Sequence, residues 1–259
     1  MLATALSYRI VTQNFDRSLL TTARQPLVKR ETEYYLATIG TIRNADDFLN
    51  NDRVYRYAMK AFGLENMSFA KAFMRRVLTE GVENPRSFAN LLSDRRYREF
   101  AETFNFAALG SAATVFDRAQ QPVADRYIRQ TLEEQAGGQN EGVRLALYFE
   151  RQAPRVTSTL GLLADPALTK VVQTVLRLPA STSALDIDRQ VDIINSRLDI
   201  ADLQDPAKLK KLLVRFTNLW DIQNSQSASS SGASLLLSGQ RGFSVNLLQS
   251  LQGLRLGGR

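Results

Sequence analysis

The sequence predicts an all-α fold, a multi-helix bundle of short capped helices with repeated helix-turn-helix units and flexible amphipathic arms at both ends. Three observations predict it. Apolar residues return at spacings of three and four along almost the whole chain. Aspartates stand immediately before several of those stretches, where a carboxylate can accept the first unpaired backbone N–H groups of a helix. β-branched residues are scattered and nowhere alternate over a useful length, so no strand is expected.

The clearest unit is DDFLNNDRVYRYAMKAFGL at 46–64: a leucine, two spacers, an aspartate, then an apolar helical face. It recurs as LLSDRRYREFAETFNF at 91–106, more loosely as LLADPALTKVVQTVLRL at 162–178, and faintly at 203–222, where Asp205 and Pro206 remain. Asp52, Asp94, Asp165 and Asp205 are therefore expected to open helices. Pro166 and Pro206 suit the first helical position, where no N–H is needed. The intervals between copies are uneven and fit no solenoid period.

In chain order, residues 1–27 read as an N-terminal amphipathic arm. Its stripe of Leu2, Leu6, Ile10, Phe15 and Leu19 lies among Thr, Ser, Gln and Arg, and Pro26 should end it. A first helical subdomain, 28–106, holds a helix over 28–42, the first copy closed by Gly63, and a helix beginning at Ser68. That helix should present Phe69, Phe73, Val77 and Leu78 to the core and end at Gly81, and Asn84 with Pro85 then reads as a cap and first-turn pair before the second copy. The small-residue run AALGSAAT at 107–114 is a candidate hinge. A second subdomain, 107–222, holds helices over 122–135 and 140–160, with Gly137 and Gly138 marking the break between them and Pro154 kinking or splitting the second. After the third copy, DIDRQVDIINSRL should pack Ile187, Val191, Ile194 and Leu198 on one face. The last helix carries Leu209, Leu212, Leu213, Phe216, Leu219 and Trp220, a stripe wide enough to be buried on two sides. Residues 223–259 then read as a Ser-rich flexible linker, QNSQSASSSGAS, and an apolar C-terminal arm. Leu6 and Ile10 at one end, and Phe243, Leu247, Leu248, Leu251 and Leu254 at the other, are the candidate partner-binding residues.

The 259 residues contain no cysteine and no histidine. Disulfides, thiolate nucleophiles and Cys-ligated metals are thereby excluded, as are Ser-His-Asp and Cys-His machinery. No glycine-rich phosphate loop is present, and the adjacent carboxylates (Asp46 with Asp47, Glu133 with Glu134, Asp186 with Asp188) sit at helix ends or on polar faces. A non-enzymatic protein without catalytic residues, cofactor, metal or small-molecule substrate is expected. The net charge of +7 lies in the arms: residues 1–30 carry +4, residues beyond Asp221 carry +3, and the body is neutral. These charges lack the clustering and interleaved aromatics of nucleic-acid binders, and no apolar run approaches the ~20 residues of a membrane helix. Neither nucleic acid nor membrane is the expected partner.

The runs VKRETEYYLATIGTI, DDFLNNDRVYRYAMKAFGLE, SFANLLSDRRYREFAETFNF, NEGVRLALYFERQAP and LLADPAL resemble an alphaproteobacterial flagellar family catalogued as a domain of unknown function. The likeness covers about residues 5–222, in order, and leaves the C-terminal arm outside. It implies a protein of flagellar gene clusters associated with rod or hook assembly, with no catalytic motif to carry over. Its implied partners are other flagellar proteins or further copies of itself, met through the terminal arms, and its implied location is the flagellum. The alternative is a cytoplasmic helical adaptor, export chaperone or regulator of motility. A nucleic-acid-binding regulator is the third class.

Overall fold

The structure, a computed structural model, describes residues 3–238. Its N-terminal arm is folded onto the body rather than loose. Helix α1 (Thr4–Gln13) buries Thr4 and Tyr8, with Val11 partly buried behind them, and α2 (Phe15–Ala23) follows after one residue. The arm thus carries two stripes, and the one at Thr4, Tyr8, Val11 and Phe15 faces the body, while Leu6 and Ile10 remain 47% and 50% exposed. Burying Thr4 and Tyr8 is tolerable because the body offers their polar atoms partners.

Helix α3 (Pro26–Ile39) starts with its proline at the first turn. Helix α4 (Ala45–Asn50) is capped by Asn44, whose Oδ1 accepts from Asp47 N at 2.8 Å. The cap of α5 (Asp52–Ala61) is Asn51, accepting from Val54 N at 3.1 Å, and not Asp52 as expected. Asp52 occupies the first helical position, where the positive helix end still favours its charge, and forms an exposed ion pair with Lys71. Gly63 closes the unit at φ +68°. Helix α6 (Lys71–Glu80) begins three residues after Ser68, which leaves Phe69 outside the helical face and 81% exposed. Gly81 ends it at φ +64°, and a Cβ there would lie 2.7 Å from that of Ala107. Helices α7 (Phe88–Leu91), α8 (Arg95–Thr103) and α9 (Phe106–Leu109) complete this region, with Asp94 capping α8 at 3.0 Å from Arg96 N. Asn84 makes a turn, accepting from Arg86 N, and does not open α7. Leu91 is exposed and Leu92 packs instead. The apolar anchor therefore sits two residues before the cap in three copies (Leu49, Leu92, Leu203) and three before it in the other (Leu162).

The run at 107–114, read from the sequence as a candidate hinge, packs its last residues into the first core. Ala113 and Thr114 are fully buried, and the Thr114 hydroxyl donates to the Ile42 carbonyl at 2.7 Å. The core divides instead along α10 (Gln121–Gln139), whose Val123 and Tyr127 belong to the first core while Ala136 packs on the second. Gly137 and Gly138 lie inside α10, and Asn140 caps α11 (Glu141–Gln152) by accepting from Gly142 N at 2.9 Å. Pro154 splits the predicted 140–160 helix: α11 stops, a 3₁₀ turn intervenes, and α12 (Thr159–Leu163) starts afresh. Helix α13 (Pro166–Leu176) is capped by Asp165, which accepts from Ala167 N and Leu168 N at 2.8 and 3.2 Å. Helix α14 (Ile187–Asn195) buries Ile194 but leaves Ile187 half exposed. Asp205 caps α15 (Pro206–Ser238), accepting from Ala207 N at 2.8 Å and Lys208 N at 3.1 Å.

Helix α15 does not stop near Ile222; it continues through the expected linker at 223–234. That stretch contains no proline and a single glycine, and extending a helix already nucleated on packed residues adds one hydrogen bond per residue fixed. Phe243, Leu247, Leu248, Leu251 and Leu254 lie outside the described residues. Among the described residues there is no strand, and no helix is long and apolar enough to cross a membrane.

Candidate interaction groove

Three helices, α1, α11 and α15, meet at a point fixed by a glycine. A Cβ on Gly142 would stand 2.6 Å from the Trp220 ring nitrogen and 2.8 Å from the Thr4 methyl, so only glycine lets the helices approach this closely. Above it Asp221, from α15, accepts from Thr4 N at 2.9 Å and Ala5 N at 3.4 Å. The first free amides of α1 are thus capped by a residue more than two hundred positions away, which also places a carboxylate at the positive end of that helix. Thr4 and Asn140 exchange side-chain hydrogen bonds at 2.8 and 3.1 Å, tying the same end to the cap of α11. No local spacing announces this set. The sequence signal available was that Asp221 is the last acidic residue of the chain.

Beyond that anchor an open groove of about 1090 Å³ runs between α1 and α15. Buried Leu203, Leu209 and Leu213 form its floor, and Leu6 and Val214, 47% and 49% exposed, stand on its two walls. Arg9 and Lys210 edge it with one carboxylate, Glu150. Tyr8 closes the inner end; burial, and then the nearby Glu150 carboxylate, push its phenol well above the ordinary value, so it stays neutral. The groove therefore offers apolar surface with a few polar atoms at its margin, a composition suited to an apolar helix face. Of the candidate interface residues, Leu6 lines it. Ile10 is half exposed on α1 but is not part of the lining.

Two of the capping aspartates, Asp94 and Asp165, lie elsewhere, in a narrow polar seam between the cores. The Arg96 guanidinium holds both Asp94 oxygens at 2.7 to 3.1 Å and donates to the Gly63 carbonyl at 2.6 Å. Tyr148 donates its phenol proton to Asp165 at 2.6 Å, and burial followed by that carboxylate raises the Tyr148 pKa. Nearby Glu133, almost wholly buried, is bound by Arg151 at 2.8 and 2.9 Å and by Arg129 at 3.2 Å. Asp94 and Asp165 are each used as a helix cap and as a partner for a side chain at once. Asp165 thereby ties α13 to Tyr148 of α11, and Asp94 holds Arg96 of its own helix in place to reach the Gly63 carbonyl. Among the described residues no group of three or more acidic side chains is placed to hold a metal ion.

A family model described as "Protein of unknown function (DUF1217)" matches residues 61–209. The chain belongs to this family. A crystal structure of an Agrobacterium tumefaciens protein is 49% identical, covering 86% of this chain and 97% of that one, with a TM-score of 0.79. No curated protein matches the chain significantly. The family match begins at the last residue of α5, so α1 and α2 lie outside it, as does most of α15. Both walls of the groove, Leu6 and Val214, therefore lie beyond the matched segment, while its floor residue Leu203 lies within it.

Proposed function

We propose that the chain is a non-enzymatic structural or assembly component of the bacterial flagellum, associated with the rod, hook or basal body and acting through helical protein–protein contacts. The observation that carries the contact part of this reading is the α1–α15 groove. Singly exposed apolar side chains are ordinary, but a continuous apolar surface rimmed by polar groups marks an interaction site, and here Leu6 and Val214 line one groove together with the buried Leu203, Leu209 and Leu213. Its lining brings together one carboxylate, one phenol held neutral and two cations at the margin. Within it the Tyr8 phenol is hydrogen-bonded to the Glu150 carboxylate and held neutral by burial, which makes it a poor nucleophile. The flagellar part rests on the resemblance of the runs at 28–64, 87–106 and 140–168, and the absence of cysteine agrees with export of an axial component.

Fractionation tests it. Tagged protein should copurify with hook–basal bodies, and the double variant Leu6→Glu, Val214→Glu should keep its melting temperature while losing incorporation and motility. Recovery only in the cytoplasmic fraction, with motility still dependent on the groove, would select the adaptor or export-chaperone reading. Wild-type motility in the groove variant would remove the groove from the function.

A further inference from the structure

We infer that the groove between α1 and α15 receives the C-terminal segment 239–259 of a second copy of this chain, with the stripe from Phe243 to Leu254 seated along it as a helix. The inference rests on the reading of the groove as an assembly surface and names its occupant. Three observations carry it.

The first is fit. On α15 the groove runs from Pro206 to Asn218, about 18 Å at the rise of an α-helix. Phe243, Leu247, Leu248, Leu251 and Leu254 fall on one helical face that is about 17 Å long at the same rise. An apolar stripe and an apolar trough of equal length are present in one chain.

The second is reach. Helix α15 continues to Ser238, which puts its end about 30 Å beyond Asn218 along the axis. A helix folding back from there after a short turn returns about 20 Å by Leu254 and stops short of the groove. An extended segment would reach, but it would lay unpaired N–H and C=O groups against a trough built of helix side chains. The chain's own tail therefore cannot fill its own groove as a helix, and the tail of another copy has no such limit.

The third is charge. The groove edge carries Arg9 and Lys210, and the tail carries Arg241, Arg255 and Arg259. Like charges cannot drive this contact, so apolar burial must, and salt, by screening the repulsion, should strengthen it. Each copy gives a tail and takes one, so copies link head to tail into a chain or ring, or two copies exchange tails and close as a pair.

Sedimentation velocity on full-length protein tests this with two complementary full-length variants. The tail variant Leu247→Ser, Leu251→Ser keeps an intact groove; the groove variant Leu6→Glu, Val214→Glu keeps an intact tail. Wild type should associate with rising concentration, into dimers or larger species, and more strongly in added sodium chloride. Each variant alone should associate about a hundredfold more weakly, the loss of two buried apolar side chains. Mixed in equal amounts they should form a heterodimer and stop there, since only one groove and one tail remain competent. Ile10→Glu, on α1 but outside the groove, should associate like wild type. Near-UV circular dichroism of Trp220 checks that the groove variant is folded, and Leu6→Glu alone replaces it if it is not. A monomeric wild type, variants that fail to complement one another, association that weakens with salt, or loss of association in Ile10→Glu would each overturn the inference. Association is read in solution and flagellar placement in cell fractions, so either can fail while the other stands.

Discussion

The two cores of this protein are closed in different ways. The first draws only on residues 28–127 and is built largely from rings: Phe48, Phe62, Phe100 and Phe104 lie 4.8 to 6.1 Å apart where they touch, and Tyr57 is stacked between Tyr35 at 4.4 Å and Tyr127 at 3.8 Å. The second is mainly aliphatic and is completed by the two ends of the chain, with Tyr8 from α1 and Leu213, Phe216 and Trp220 from α15. A core closed by neighbouring segments leaves little at its edge. The second, closed by helices that meet at a single glycine, has a trough beside the junction, and the candidate site lies there. The lone tryptophan belongs to the second core, so its fluorescence reports that region, whereas far-UV circular dichroism reports both.

The largest expected effect is at the centre of the ring cluster. Phe100 is fully buried against Phe48, Phe62 and Phe104, and Phe100→Ala should cost about 3 to 5 kcal/mol in urea denaturation. Because α10 contributes to both cores, the Trp220 midpoint should fall together with the dichroism midpoint. A Trp220 transition left at its wild-type position would show that the two regions unfold independently. Next in size is Gly142→Ala. In an unconstrained helix this change would stabilise by about 1 kcal/mol; against Trp220 and Thr4 it should instead cost about 1 to 3 kcal/mol by overpacking. Amide exchange in α1 should accelerate while that in α5 and α8 stays unchanged. A stabilised variant would mean that the junction is loose.

Different physics made these regions unequally legible in the sequence. Helix class, the break at Pro154 and the left-handed closures at Gly63 and Gly81 are local, set by residues within a turn of one another, and the sequence showed them. The N-terminal arm misled because it carries two stripes. Leu6 and Ile10 are the more apolar pair, yet Thr4 and Tyr8 are buried because Asn140 and Asp221 cap and pair that end from far along the chain. Composition alone made the 223–234 run a linker, although serine and alanine extend an existing helix well enough when no proline intervenes. The groove was illegible for the same reason as the Asp221 cap. Among its walls only Leu6 lies on a stripe readable in the sequence, and Val214 comes from a distant segment of the chain.

The caps sharpen the comparison at the next scale down. Asn51→Ala should cost about 1 kcal/mol, because its side chain holds the Val54 amide. Asp52→Ala should cost less, since it loses only an exposed pair with Lys71. Asp165→Ala should be the most damaging of the three at about 2 kcal/mol, losing the cap and leaving the buried Tyr148 hydroxyl without its acceptor. Asp165→Asn should recover most of it. Urea midpoints would decide the order, and an Asp52 variant weaker than the Asn51 variant would restore the aspartate as the cap.

The smallest effect is expected in acid, and it should fall mainly on the first region. Glu31 is held below the usual carboxylate range by its bonds to Arg53, at 2.7 and 3.1 Å, Asp52 by Lys71, and Glu80 by Arg76 and then the Phe88 amide. Beyond that region only Asp205 is comparably lowered, by the Lys208 and Ala207 amides. A carboxylate whose folded pKa lies below its unfolded value contributes stability that is fully present above the unfolded value, near pH 4, and is lost as pH falls through the folded one. The unfolded chain takes up those protons first, so acid favours it. Asp52 and Glu80 are exposed and Glu31 and Asp205 half-buried at the surface, which keeps each contribution small and open to screening. Melting temperature should therefore decline gently below pH 4, the decline should flatten in high salt, and Glu31→Gln should remove part of the slope without moving the plateau above pH 6 by more than the loss of the Arg53 pair itself. A slope that persists in Glu31→Gln and in high salt would show that these surface pairs are not its source.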